Sequence, residues 1–425
     1  MAVTDRQLHV FLNETPMGTL SRARGGKLSF IYSEDYLNRE APVPLSLTMP
    51  LDDRRYSHEK VHTWLWGLLP DNELVLARWA QRFQVSPSSA FGLLEGMGED
   101  CAGAVRFIRP EKFDQAEKGG KQVVTESEIE RRLRELRKGP ALGREPDDRG
   151  QFSLAGAQSK TALQRRGEKW YLPWGREPTT HILKPPRPDI DGHVENEHFC
   201  LRLAAALGLS VAKSEVLRFG KETAIAVERY DRIMMNRRLT RVHQEDACQV
   251  LGVHPSLKYQ SEGGPDIVKV MELMNRSNHP VEDRRRVMEA VVFNYLILGT
   301  DAHAKNFSIL LGMNQQVRLA RLYDIASYLP YVERRKDCRF AMKIGGYYKE
   351  AQIQPRHFEK MARSCEFPAQ ELGGILKEMA ERMPQAAKAV IAELNQQGIK
   401  HSVLGKLVSG INQRSKSVLQ NFAKA

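Results

Sequence analysis

Cysteine is scarce in this 425-residue chain, with only Cys101, Cys200, Cys248, Cys338 and Cys365. They are scattered, odd in number and never spaced C-x-x-C, which excludes a disulfide framework or structural zinc site and fits a reducing compartment. Long hydrophobic runs are also missing. The longest uncharged apolar stretch lies between Glu289 and Asp301, too short to cross a bilayer. The first residues reach Asp5 and Arg6 without an apolar run, so no secretory signal is expected and the reading is cytoplasmic, with no membrane partner. Internal repeats and low-complexity tracts are absent. Acidic residues are in deficit, 52 against 64 Lys and Arg, for a net charge of +12 and a pI near 9.4. That excess suits an anionic partner such as nucleic acid, nucleotide or an acidic protein, although on charge alone a solvated basic surface is the plainer reading. Hydrophobic residues at 41% and charged residues at 27% belong to a folded soluble protein, and the length predicts about three domains.

The pattern along the chain divides it further. Residues 1–110 read as a β-rich module, because Leu8, Val10 and Leu12 alternate, as do Leu28, Phe30 and Tyr32, with turn residues Asn13 to Pro16 between them. Asp71 is expected to cap a helix carrying Val75, Trp79 and Phe83 at i, i+4 and i+8, and Cys101 to Ile108 a closing strand. Residues 111–150 read as linker and charged helix. Glu111 to Thr125 lacks periodicity, ESEIERRLRELRK is helical, and Gly143 to Gly150 is a second flexible stretch. Residues 151–230 carry short strands (160–165, 169–174, 180–184, 214–219, 223–228) and a helix near 194–207. Residues 231–425 turn helical, with an apolar buried helix over 286–298. After Pro355, Phe358, Met361, Ala362 and Cys365 form an inward stripe that leaves Arg356, Lys360 and Arg363 outside. The class is α+β.

Chemistry is concentrated just after the buried helix, in Gly299-Thr300-Asp301-Ala302-His303-Ala304-Lys305-Asn306. Asp followed five residues later by Asn is the spacing of a kinase catalytic loop. There the Asp accepts the proton of a substrate hydroxyl and the Asn holds Mg²⁺. Asp324, in Leu322-Tyr323-Asp324-Ile325, lies where a second Mg²⁺ ligand is needed, or else caps a short helix. Upstream, Lys184 ends a strand and could reach ATP phosphates, and Glu197 on the next helix could hold it. Arg229 and Tyr230 fall where a hinge would meet adenine. The segment Ser153-Leu154-Ala155-Gly156-Ala157-Gln158-Ser159-Lys160-Thr161 resembles a phosphate loop but is not Walker A, since Ser159 replaces the required Gly and a strand follows. No G-x-G-x-x-G or D-F-G stands in the expected place, so a conventional protein kinase is disfavoured.

The ordered strings GEDCAGAVRF, SLAGAQSKTAL, TTHILK, Asn196-Glu197, AVERYDR, QEDACQ, KYQSEGGP, GTDAHAKNFS and LYDI resemble HipA-type serine/threonine kinase toxins over nearly the whole chain. The resemblance implies a two-lobed protein-kinase-like fold, distantly lipid-kinase-like, and a toxin of a toxin–antitoxin pair using ATP and Mg²⁺. It implies Asp301 as proton acceptor and Asn306 and Asp324 as metal ligands. Ala155, Gly156, Ala157, Gln158, Ser159, Lys160 and Lys184 would surround the phosphates, and Glu228, Arg229 and Tyr230 would form the adenine hinge. His303, Ala304, Lys305, Asn306 and Tyr323 would line the rest, and Ser153 would be autophosphorylated. Implied partners are a dimeric helix-turn-helix antitoxin, HipB, operator DNA through that complex, and glutamyl-tRNA synthetase as substrate, with growth arrest and persistence as the outcome. At the helix where the family presents two basic residues to DNA, Arg363 is kept but Glu366 replaces the second. The rival expectation is a kinase-like DNA-binding co-repressor scaffold with little catalytic activity.

Overall fold

A computed structural model describes residues 6–116, 118–139, 151–332 and 337–422. The chain forms two compact units, one of residues 1–185, 218–256 and 309–317, the other of 186–217, 257–308 and 318–425.

The first unit opens with an antiparallel sheet in the order Arg55–Tyr56, Leu28–Tyr32, Thr15–Arg22, Arg6–Leu12, Val105–Ile108. Alternation buries Leu8, Val10, Leu28, Phe30 and Tyr32, as the period of two requires. The helix Glu73–Phe83 follows, but its cap is Asn72 rather than Asp71, with Oδ1 accepting from Leu74 and Val75 N–H. A second antiparallel sheet runs Glu222–Glu228, His181–Lys184, Thr161–Arg166, Lys169–Gly175, Gly119–Val124. Its edge strand Gly119–Val124 corrects the expectation of a linker over Glu111 to Thr125. The strand is only lightly buried, so it lacks the apolar alternation that would announce it, and ladder hydrogen bonds to Lys169–Gly175 define it instead. The charged helix is present as Glu126–Lys138, closed by a Thr125/Glu128 capping box, with Ile129, Leu133 and Leu136 inward. The expected flexible stretch Gly143 to Gly150 lies outside the described residues.

A buried ion cluster ties the two sheets of this unit together. Asp100, next to the closing strand of the first sheet, accepts from Arg232 (2.9 Å), Arg241 (2.8 Å), Arg229 (3.4 Å) and the Thr179 hydroxyl (2.7 Å). Asp231 takes a further pair of bonds from Arg229 (3.1 and 2.8 Å). Burial alone would raise the Asp100 pKa, but Arg232, Arg241 and Arg229 outweigh it and hold the carboxyl far below the usual range. Nearby, Glu245 is fully buried and accepts from Trp64 Nε1 (2.7 Å) and Leu47 N (2.9 Å).

The second unit is helical around Pro280–Ile297, whose Val287, Val292, Phe293 and Leu296 are all buried. Pro280 at the first turn starts it without sacrificing a needed N–H. Three C-terminal helices complete the unit: Pro355–Ser364, Ala369–Gln396 and Ser402–Phe422. Arg414 on the last of them is buried. It donates to Tyr295 O at 2.8 Å, pairs with Glu350 and lies 4.5 Å over the Tyr295 ring. The stripe Phe358, Met361, Ala362 and Cys365 is buried and Arg356, Lys360 and Arg363 are exposed, as the spacing predicts. Among the described residues no helix is long and apolar enough to cross a membrane, and the five buried cysteines form no disulfide.

Candidate active site

The segment that carries Asp301 and Asn306 is delivered by the end of the central helix. Leu298 adopts the left-handed conformation (φ 55°), so the chain reverses sharply and emerges as Gly299–Asn306. Asp301 is exposed, and its backbone carbonyl accepts from His303 N–H (2.8 Å) and Asn306 Nδ2 (2.9 Å). Those two bonds lock the five-residue spacing into a turn. Its carboxylate Oδ1 accepts the Tyr259 hydroxyl at 2.6 Å. With Nδ2 committed to Asp301, Asn306 turns its Oδ1 away from that bond, where it can serve as a hard oxygen donor.

Asp324 does not cap a helix, because irregular chain follows it to Tyr328. It stands instead at φ 56°, a left-handed conformation that Asp tolerates better than most residues and that recurs at functional sites. The surroundings over-determine it. Tyr323 OH donates to Lys305 O (2.5 Å) and bonds Ser308 Oγ (2.6 Å), which stitches the Asp324 segment to both flanks of Asn306. Asn196, from helix His193–Ala206, clamps the other side, donating to Ser327 O (2.7 Å) and accepting from Ser327 N (3.0 Å). Ser327 Oγ in turn donates to Ile297 O (2.5 Å) at the end of the central helix. Arg187 is held by Asp189 (3.1 and 2.6 Å). Its pKa is raised first by that hydrogen bonding and then by the fields of Asp301 and Asp324, so all three carboxylates share one electrostatic neighbourhood.

Among the described residues no group of three His, Cys, Asp or Glu could hold a metal ion. Mg²⁺ needs none, because it is commonly bound by one or two protein oxygens together with phosphates and water. The amide oxygen of half-buried Asn306 and the exposed carboxylate of Asp324 fit that requirement. His303, Ala304 and Lys305 are buried around them.

In the first unit, residues 155–160 form an irregular loop. Gly156 has φ 103°, a left-handed backbone conformation that L side chains rarely adopt, which is why glycine stands there. Lys160 Nζ donates to Ala155 O (2.6 Å) and folds the loop on itself. The β-rich module holds the loop from the other side: Asp71 N donates to Gly156 O (3.3 Å) and Asn72 Nδ2 to Ala157 O (3.3 Å). Gln158 and Ser159 are half-buried, and Lys184 is buried at the end of its strand. Ser153 is wholly buried, its N–H donating to Asp100 O (2.9 Å) and its Oγ to Leu68 O (2.7 Å).

The hinge expectation narrows. Glu228 pairs opposite His181 and Tyr230 is half-buried, but the Arg229 guanidinium belongs to the Asp100 cluster. Its N–H donates to Thr180 O and its carbonyl accepts from Arg232 N, so its polar groups are committed to the fold. A buried charge needs its counter-ions, and that requirement decides where this side chain goes. Leu68, Asn72, Asp100 and Tyr259 were not expected to touch the site. Asp100 and Tyr259 left a signal only in lying within the quoted strings GEDCAGAVRF and KYQSEGGP.

An exposed carboxylate on a turn whose backbone is locked by an asparagine five residues on, with a second exposed carboxylate tied to the same segment through Tyr323, is the arrangement that a phosphotransferase of the kinase class requires. The HipA-like C-terminal domain family matches residues 152–387, and the HipA N-terminal domain family matches residues 8–108. The chain is 37% identical to the candidate kinase Y4mE of Sinorhizobium fredii over 370 residues, 85% of this chain and 86% of the relative. It is 29% identical to the serine/threonine-protein kinase toxin HipA of Shewanella oneidensis over 404 residues, covering 91% and 90%. It also superposes on the Shewanella oneidensis HipA structure, solved with HipB and operator DNA, with a TM-score of 0.84, 25% identity and 98% of each chain covered. The chain belongs to the HipA-type serine/threonine-protein kinase toxins, and it is a kinase with their α+β fold.

Proposed function

We propose that the chain transfers the γ-phosphoryl group of ATP to a serine or threonine hydroxyl of a protein of the translation machinery, glutamyl-tRNA synthetase being the family's substrate. Asp301 takes the hydroxyl proton as the oxygen attacks phosphorus and ADP departs. Asn306 and Asp324 hold Mg²⁺, which neutralises the phosphate oxygens when bound. Ala155 to Lys160 and Lys184 meet the phosphates, Glu228 to Tyr230 flank the adenine, and His303 to Lys305 with Tyr323 complete the nucleotide's surroundings. The observation that carries this reading is the turn in which Asn306 Nδ2 bonds Asp301 O at 2.9 Å. That bond leaves the carboxylate and the amide oxygen both available for phosphoryl transfer.

The same reading makes the chain a cytoplasmic toxin that arrests growth and promotes persistence. It switches itself off by phosphorylating Ser153. A HipB-type antitoxin dimer neutralises it, and the complex represses its operon on operator DNA. Labelled-phosphate transfer to lysate proteins tests the enzyme directly. The wild type should label a substrate in the presence of Mg²⁺, and Asp301→Asn should lose on the order of 10²-fold or more in rate. The variant should keep its Mg²⁺-dependent thermal stabilisation by ATP. Near wild-type transfer by Asp301→Asn would place the base elsewhere.

A further inference from the structure

The segment KYQSEGGP contributes nothing to the functions assigned above, yet its fold is tightly specified. Gly263 sits at φ 92°, and a Cβ on Gly264 would stand 1.9 Å from Leu257 O. Only glycine permits that close approach, and Gly264 N–H donates to Tyr259 O (3.0 Å). The result is a compact loop that projects Tyr259. Three contacts lace this loop to the catalytic turn. Ala304 N–H donates to Lys258 O (3.3 Å), the Tyr259 ring meets the His303 ring edge-on (5.0 Å, 86°), and the Tyr259 hydroxyl donates to Asp301 Oδ1 (2.6 Å). Gln260 Oε1 also accepts from Lys343 N (2.7 Å), which fixes the loop to strand Arg339–Ile344.

We infer that Tyr259 is a positioning residue for phosphoryl transfer, holding one oxygen of the Asp301 carboxylate so that Oδ2 faces the substrate hydroxyl. The inference rests on Asp301 being the proton acceptor. An exposed Asp on a turn has two rotatable side-chain bonds, and the backbone bonds to its carbonyl do not restrain them. A short hydrogen bond from a phenol to a charged carboxylate does, and bonds of this kind are among the stronger ones in proteins. The phenol itself is held by its ring packing on His303 and by the glycine-built loop. A carboxylate fixed in this way loses less orientational freedom in the transition state.

The test is a double-mutant cycle with full-length protein. It compares wild type, Tyr259→Phe, Asp301→Asn and the double variant in steady-state labelled-phosphate transfer. Phenylalanine keeps the ring contact with His303 and removes only the hydroxyl. Tyr259→Phe should lower kcat about tenfold or more, leave KM for ATP and the ATP–Mg²⁺ thermal shift unchanged, and add no further loss in the Asp301→Asn background. An equal loss in both backgrounds would mean that Tyr259 acts through general structure, and an unchanged kcat would mean that it does nothing for Asp301. Either result overturns the inference. If Asp301→Asn itself transfers phosphate at near wild-type rate, the proton-acceptor reading falls and takes this inference with it, an outcome distinct from failure of Tyr259→Phe alone.

Discussion

Phosphorylation of Ser153 should expel its loop from the first unit and abolish nucleotide binding. The serine is 0% exposed, and its Oγ–H is spent on Leu68 O at 2.7 Å. Its neighbours Phe152 and Leu154 are 5% and 6% exposed and form one apolar cluster with Ala162. Returning both side chains to water costs about 3–6 kcal/mol before the freed loop regains conformational entropy. Against that stands a group of roughly −1.5 to −2 charges. An unpaired buried ion costs several kcal/mol even after relaxation, and Leu68 O is an acceptor that a phosphate cannot use. The closed loop therefore tolerates the hydroxyl and rejects the phosphate. Opening would also release Ser153 N–H from Asp100 O, Gly156 O from Asp71 and Ala157 O from Asn72. Residues 155–160 would lose their anchors together. Hydrogen exchange and nucleotide-dependent melting read this out on the two forms separated by mass. The Ser153 amide should be protected in the unmodified protein and exchange freely in the phosphoprotein. ATP at about 100 times its Kd should stabilise only the unmodified form, by about 2.7 kcal/mol. A phosphoprotein with a protected Ser153 amide and undiminished ATP stabilisation would refute the reasoning.

Asp324→Ala should weaken the Mg²⁺-dependent part of ATP binding as well as turnover, seen as a rightward shift in the metal titration. Asp100→Asn removes one of the two carboxylate charges that face three buried guanidiniums, leaving Asp231 alone among them, and should destabilise the first unit by about 3–5 kcal/mol, seen as a lower urea midpoint at constant slope. Burial pushes the Glu245 carboxyl up to about 7 against its hydrogen bonds from Ser46, Leu47 and Trp64, so the folded chain keeps this proton after the unfolded chain has lost it. Stability should therefore fall by about 3 kcal/mol as pH rises from about 4.5 to about 7, and Glu245→Gln should flatten that slope in urea titrations. Arg363→Glu should weaken operator binding of the antitoxin complex most at low salt, as a lost phosphate contact would, measured by DNA titration across salt concentrations.

Local pattern alone determined much of this protein. Alternation in residues 8–12 and 28–32, the apolar run that becomes Pro280–Ile297 and the stripe after Pro355 each announce an element, because burial of one face imposes its period on the residues. The Asp301–Asn306 pair was legible for a related reason: its spacing is set within a single turn, with no need of a distant partner. Long-range partners decided the rest. Gly119–Val124 is a strand because Lys169–Gly175 lies beside it, and no apolar period marks it. Asp71 and Asn72 look alike as helix caps, and only the backbone path gives Asn72 the cap and a reach to Ala157 O. Arg229 reads as an adenine contact until Asp100, distant in sequence, and Asp231, two residues on, claim its guanidinium. Ser153 reads as a loop hydroxyl, but the carbonyl of Leu68, 85 residues away, makes it a buried donor. Hydrogen-bond partners far apart in sequence leave no periodic trace, so only the tertiary structure could show which of these groups are committed and which, like the Asp301 carboxylate, reach solvent.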